Sequence, residues 1–141
     1  MLIVMILVIA SVGMIMVKNF IQTNQTDRAK NIVSNTNERP SDLYKQAIMN
    51  GNPIMVFVHS NDCDPCIEMI NIVNETYPKF QEEIVLIDVN VYDDHNQGLI
   101  SQLRINYIPT LLFYNRSGEE MTHVGVMESK DLREKLSQII H

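Results

Sequence analysis

The only two cysteines of this chain lie in one short stretch, His59-Ser60-Asn61-Asp62-Cys63-Asp64-Pro65-Cys66. The apolar run Ile54-Met55-Val56-Phe57-Val58 enters it, and an amphipathic run opening at Pro65 leaves it. Strand, Cys-x-Pro-Cys, helix is a constraining order. A helix N-terminus carries unpaired N–H groups and a partial positive charge, which stabilise a thiolate on the first cysteine. The second cysteine lies one turn on, placed to resolve a mixed disulfide. Pro65 suits the first helical turn, where its missing N–H costs nothing. With no other cysteine present, an intramolecular disulfide must join Cys63 to Cys66. Two cysteines make neither a disulfide-rich scaffold nor, alone, a four-ligand zinc site.

Charge is divided unevenly along the chain. Residues 41–141 hold 7 Lys and Arg against 15 Asp and Glu, a net of 7 − 15 = −8, whereas residues 1–40 hold 4 against 2. An acidic domain argues against nucleic acid, which is bound through a basic face. Met1 to Val17 contains no charge and only Ser11 as a polar side chain. At about 1.5 Å per residue such a run spans about 25 Å, the short end of what crosses a bilayer. Phe20 and Ile21 extend it past Lys18, whose long stem can snorkel. No Lys or Arg precedes the run and no A-x-A pattern follows it, so an uncleaved membrane anchor over 1–21 is expected rather than a signal peptide. Residues 22–40 are polar and read as a tether, with Ile32-Val33 as a short strand candidate. Lys18, Arg28, Lys30 and Arg39 all follow the run, which by the positive-inside rule alone places the rest in the cytoplasm.

From Ser41 the pattern is globular. Ser41 is a candidate cap for a helix with Leu43, Ala47 and Ile48 on one face, stopped by Gly51. Ile54–Val58 has the continuous apolar character of a buried central strand. A helix from about Pro65 to Tyr77 carries Ile67, Ile70, Val73 and Tyr77 at helical spacing. A second buried strand covers 84–91, and a short helix covers about 97–103. Thr110–Tyr114 is a third strand, and Asn115-Arg116-Ser117-Gly118 turns it into an antiparallel fourth, about 120–124. Ser129 is the candidate cap of a last helix with Leu132, Leu136, Ile139 and Ile140 inward. The order α-β-α-β-α-β-β-α implies an α/β fold, a mixed sheet between two helical layers.

This order resembles the thioredoxin family. A second motif, Ile108-Pro109-Thr110, looks like the family's cis-proline loop, and Pro109 follows Cys66 by 43 residues (109 − 66). Gly125, after the hairpin, stands where thioredoxins keep a glycine facing the active site. The resemblance covers about 41–141 and implies a thioredoxin-like three-layer sandwich. With the expected anchor, the chain is similar to the tethered thioredoxin-like proteins of bacterial envelopes, without the long insertion of many cytochrome c maturation thioredoxins. It implies a thiol–disulfide oxidoreductase that reduces or isomerises protein disulfides, with Cys63 as nucleophile and Cys66 as resolver. Pro109 joins the catalytic set, and Ile108, Gly125 and Pro65 are assigned to substrate binding. No cofactor is implied beyond the redox-active Cys63–Cys66 pair. Protein thiols or disulfides are the implied substrates, a membrane electron donor the implied partner, and an extracytoplasmic domain the implied location, against the charge count above.

The sequence departs from the family in four places. Asp62 and Asp64 stand where Trp and Gly usually flank the first cysteine. Phe57 holds the strand position of a buried acid that assists proton transfer, and Asp88 falls near the lysine that usually partners that acid. Asp88 is therefore the candidate proton-handling group; its alternative is a turn or capping residue at a strand end. Two aspartates beside Cys63 oppose its ionisation, each by roughly 1–2 kcal/mol, which points to a reducing or isomerising role rather than a strong oxidant. His59 reads either as an imidazolium favouring the Cys63 thiolate or as a satisfied histidine at the end of the sheet. The rival functions are a metal or haem chaperone using Cys63, Cys66 and His59, and an assembly accessory with a permanent disulfide.

Overall fold

The computed structural model describes residues 38–141. The expected anchor, and all but the last residues of the expected tether with its Ile32-Val33 strand, lie outside the described residues. Ten elements follow one another: α1 (Pro40–Met49), β1 (Ile54–His59), α2 (Asp64–Thr76), a 3-10 turn (Tyr77–Lys79), β2 (Val85–Asn90), a second 3-10 turn (Asp94–Asn96), α3 (Gln97–Gln102), β3 (Thr110–Tyr114), β4 (Glu120–Val124) and α4 (Ser129–Ile140). The sheet runs β2-β1-β3-β4. β1 pairs parallel with β2 and antiparallel with β3, and β3 pairs antiparallel with β4. The mixed sheet and the order of elements are those expected.

β1 is buried at all six positions, as a strand between two neighbours and two helical layers must be. Its alternate side chains feed two cores. Met55 and Phe57 pack with Leu111 and Phe113 of β3, Met69 and Val73 of α2, and Leu132, Leu136 and Ile139 of α4. On the opposite face lie Val56 and Val58, with Ala47 of α1 and Leu99 of α3 also buried. Among the described residues no helix is long and apolar enough to cross a membrane.

Several local expectations are corrected. The inward face of α2 is Cys66, Met69, Val73 and Thr76, and Ile67 is exposed. Both stripes satisfy helical spacing; the burial of Cys66 rotates the helix toward the first. In α1 only Ala47 is buried and Ile48 faces outward. Neither Ser41 nor Ser129 caps its helix. Pro40 takes the opening position of α1, so the cap falls on Arg39, and Glu128 precedes α4; neither residue caps its helix with a side-chain acceptor, and the Arg39 guanidinium instead donates to Asp42 at 3.0 Å. Gly51 does end α1, at φ +64°, with its N–H on the carbonyl of Ile48.

Candidate active site

β1 ends at His59, and the chain turns through 60–63 into α2. Ser60 is buried, and its Oγ accepts the N–H of Asp62 at 3.0 Å, which fixes the turn. Cys63 itself is the N-cap of α2. Its backbone is extended, and its Sγ accepts the N–H of Cys66 at 3.3 Å. Asp64, the cap that an Asp-Pro start would favour, is instead the first helical residue, with Pro65 beside it in the opening turn. The sulfur of Cys63 thus takes the place a capping oxygen would hold, at the N–H groups and positive end of the helix.

Cys63 and Cys66 are joined as a disulfide, with Cα atoms 5.1 Å apart. Their exposures differ: Cys66 is at 0% while Cys63 is partly exposed. An incoming sulfur can therefore meet Cys63, whereas Cys66 is reached only from within. Asp62 and Asp64 are both exposed, so water and salt screen their opposition to a Cys63 thiolate.

The Ile108–Pro109 bond is cis, as the motif implies. Val58 pairs with Thr110, so Pro109 lies at the same end of the sheet as His59 and the cysteine turn. Gly125 donates its N–H to the carbonyl of Pro109 at 2.8 Å, which brings those two predicted residues together. A Cβ on Gly125 would meet nothing within 4 Å, so space does not require the glycine; its φ of +97° does. Thr110 Oγ1 donates to the Tyr107 carbonyl at 2.7 Å and closes the loop. Pro65 is exposed beside Cys63. Three large apolar side chains also stand exposed, each next to one of these positions: Ile67 follows Cys66, Tyr107 precedes Ile108, and Val124 precedes Gly125. The sequence reading placed Ile67 in the core and assigned nothing to Tyr107 or Val124.

Asp88 is not a strand-end residue. It is fourth of the six residues in β2, opposite Phe57 in register. Its Oδ1 lies 2.6 Å from Nε2 of His59, although the two are 29 residues apart. His59 is buried and its ring stacks on Phe57, with centroids 4.6 Å apart. His59 is thus only half satisfied: Nδ1 is buried without a hydrogen-bond partner. Among the described residues no three His, Cys, Asp or Glu side chains converge as a metal site.

A sequence profile for the thioredoxin-like domain matches residues 41–140. The chain belongs to the thioredoxin-like family. Thioredoxin of Rickettsia prowazekii is 23% identical over 104 residues, covering 74% of this chain and 97% of that protein. Thioredoxin of Haemophilus influenzae is 26% identical over 98 residues, covering 69% and 90%. Among solved structures, chloroplastic thioredoxin z superposes with a TM-score of 0.60 at 19% identity, over 70% of this chain and 88% of that one. Trxlp of Edwardsiella tarda EIB202 gives 0.58 at 23% identity, over 66% and 89%. Those two structures share the fold. Family, fold and a Cys63-x-x-Cys66 pair at bonding distance together support a thiol–disulfide oxidoreductase.

Proposed function

We propose that this oxidoreductase reduces or isomerises disulfides in protein substrates while tethered to a membrane through residues 1–21. One observation carries the chemistry: Cys63 caps the 13-residue helix α2 with its sulfur, while its partner Cys66 is fully buried. The Cys63 thiolate attacks a substrate disulfide, forms a mixed disulfide and expels one substrate thiolate. Cys66 then attacks the Cys63 sulfur, releasing the second substrate sulfur and restoring the Cys63–Cys66 disulfide. Pro109, Ile108 and Gly125 line the approach, where backbone groups pair with an extended segment of the substrate as a short added strand. The exposed Ile67, Tyr107 and Val124 give that segment apolar contact, which favours a polypeptide over a small disulfide.

The direction of electron flow follows from charge. Asp62 and Asp64, though screened by solvent, offset part of the stabilisation that the helix end gives the Cys63 thiolate, and a dithiol that is not specially stabilised gives its electrons up readily. The tether rests on the uncharged run Met1–Val17. With the domain outside the cytoplasm, re-reduction falls to a membrane protein that delivers electrons across the bilayer, and exported thiol proteins, apocytochromes with haem-site cysteines among them, are the substrate class.

Insulin reduction tests the reading. The full chain in detergent micelles, supplied with dithiothreitol, should hasten precipitation of the insulin B chain. The Cys66→Ser variant should instead accumulate a covalent adduct with insulin that thiols dissolve. Neither acceleration nor adduct would contradict it.

A further inference from the structure

One backbone angle stands out in the loop before Ile108. Arg104 has φ +54°, in the left-handed region that glycine enters freely and an arginine does not. It follows the end of α3, where Arg104 donates its N–H to the carbonyl of Ser101 and Ile105 donates to Ile100. A helix closed in this way most often has glycine at that position. The local geometry thus calls for glycine, and local rules broken like this are found at functional sites. The side chain is exposed, and among the described residues its guanidinium forms no ion pair.

Arg104 lines a groove of about 200 Å³ with Tyr107, Thr110, Glu120, Thr122 and Val124. Thr110 stands opposite both Val124 and Val58, so the groove lies on the Val58 face of the sheet, away from the Phe57 face that packs on α2. Its upper end is the first residue pair below Pro109 and Gly125. The groove follows an open edge, for β4 is the last strand of the sheet. Gly125 donates to the Pro109 carbonyl, and Asn115 donates to that of Glu119. The bonded positions between them alternate, so the N–H and C=O groups of Glu120, Thr122 and Val124 face away from β3. Those same three residues border the groove. An extended segment added at this edge places every second side chain over the groove, on the side of Arg104.

Charge selects the occupant. Between Lys45 and Arg116 the only Lys or Arg residues are Lys79 and Arg104, and Lys79 follows the end of α2 remote from the cysteine turn. Glu120, the other charged group of the groove, already accepts the hydroxyls of Tyr114 and Thr122. Arg104 is left as the charge that a visiting side chain can answer. We propose that Arg104 is a specificity-determining residue: the stretch of substrate polypeptide beyond Gly125 adds to the β4 edge, and the guanidinium pairs with an Asp or Glu side chain in it. The assignment rests on the redox reading above. Edge pairing through the backbone is indifferent to sequence, and Arg104 supplies the preference. Asp62 and Asp64 oppose an acid close to the cysteine turn, so the preferred acid lies several residues from the substrate cysteine.

Two synthetic peptides serve as probes. Each is a Thr- and Val-rich segment whose one cysteine forms a homodisulfide, with either Glu or Gln at alternate positions. Reduced full chain in micelles is mixed with each, and the second-order rate of peptide thiol release is measured. The Glu-to-Gln rate ratio should be about fivefold higher in wild type than in Arg104→Gln, the upper range for a solvent-exposed ion pair, and high salt should shrink the difference. Arg104→Glu should reverse the preference. Arg104→Gly should lose it while holding or raising the melting temperature, since glycine relieves the backbone. Thr122→Pro removes an outward donor that the β3–β4 ladder does not use, and should slow both peptides alike. The same rate ratio in wild type, Arg104→Gln and Arg104→Gly would overturn the assignment while leaving the redox reading intact. Wild-type protein that reduces neither peptide nor insulin would overturn both.

Discussion

The two ends of the central strand pair are built alike and behave differently. At one end Tyr114 of β3 is buried, lies edge-on to Tyr44 with ring centroids 5.8 Å apart, and donates its O–H to Glu120 at 2.7 Å. At the other, His59 of β1 is buried, stacks on Phe57, and meets Asp88 at 2.6 Å. Each is a ring whose polar tip reaches one carboxylate on a neighbouring strand. Burial, with hydrogen bonds to Tyr44 and Glu120, pushes the Tyr114 hydroxyl far above the usual phenol range, so its proton does not move at any ordinary pH. The His59 ring instead keeps Nδ1 buried without a hydrogen-bond partner. The cysteine turn, the cis-proline loop and Gly125 all gather at the histidine end. Similar packing therefore closes the sheet at one end and borders the cysteine turn at the other.

The largest effect expected is at Cys66. Cys66→Ser should abolish resolution altogether and leave Cys63 held in mixed disulfides, visible as a stable mass adduct. Asp88→Asn should come next: it weakens the contact with buried His59, a loss of about 1–3 kcal/mol read from chemical denaturation. Gly125→Ala follows: a side chain at φ +97° costs about 1–3 kcal/mol of stability, read from chemical denaturation. Tyr114→Phe is the smallest and the sharpest contrast. It removes one hydrogen bond, about 0.5–1.5 kcal/mol, and should leave the rate of insulin reduction within about twofold of wild type. A tenfold kinetic loss in Tyr114→Phe would break the distinction between the two ends.

The alkaline side sharpens it further. A tyrosine whose folded proton is held more tightly than in the unfolded chain adds stability that is fully present below the unfolded value, near 10, and lost as pH rises above it. Tyr114 and Tyr77 both have raised values, chiefly through burial, so unfolding should become easier above about pH 10. Tyr114→Phe should flatten that decline, as followed by thermal melts across pH 8–11.

What could be read from the sequence divides along the same lines. Element order was legible because buried strands, turn residues and helical stripes alternate plainly after Ser41. The cysteine turn and Ile108-Pro109 were legible because local order along the chain defines them. The rotation of α2 was not, since Ile67 and Met69 both lie on acceptable stripes and hydropathy does not rank one above the other. The His59–Asp88 pair was hidden for a different reason. It depends on Phe57 standing opposite Asp88; β2 alternates, with Leu86, Asp88 and Asn90 off the core, but β1 is buried at every position and carries no alternation from which to read the register between the two. Ile67 escaped because an apolar residue on a helical stripe is assigned inward by default, and Tyr107 and Val124 because no local motif marks an exposed apolar residue.

The central claim is that Cys63 and Cys66 form a working, reducing couple. Its most direct test is the reduction potential of the full chain, equilibrated against glutathione and thioredoxin buffers and read by thiol trapping. The account predicts a value near about −270 mV, in the range of thioredoxin itself. A value near about −120 mV, that of a strong oxidant, or a pair that never exchanges, would contradict it.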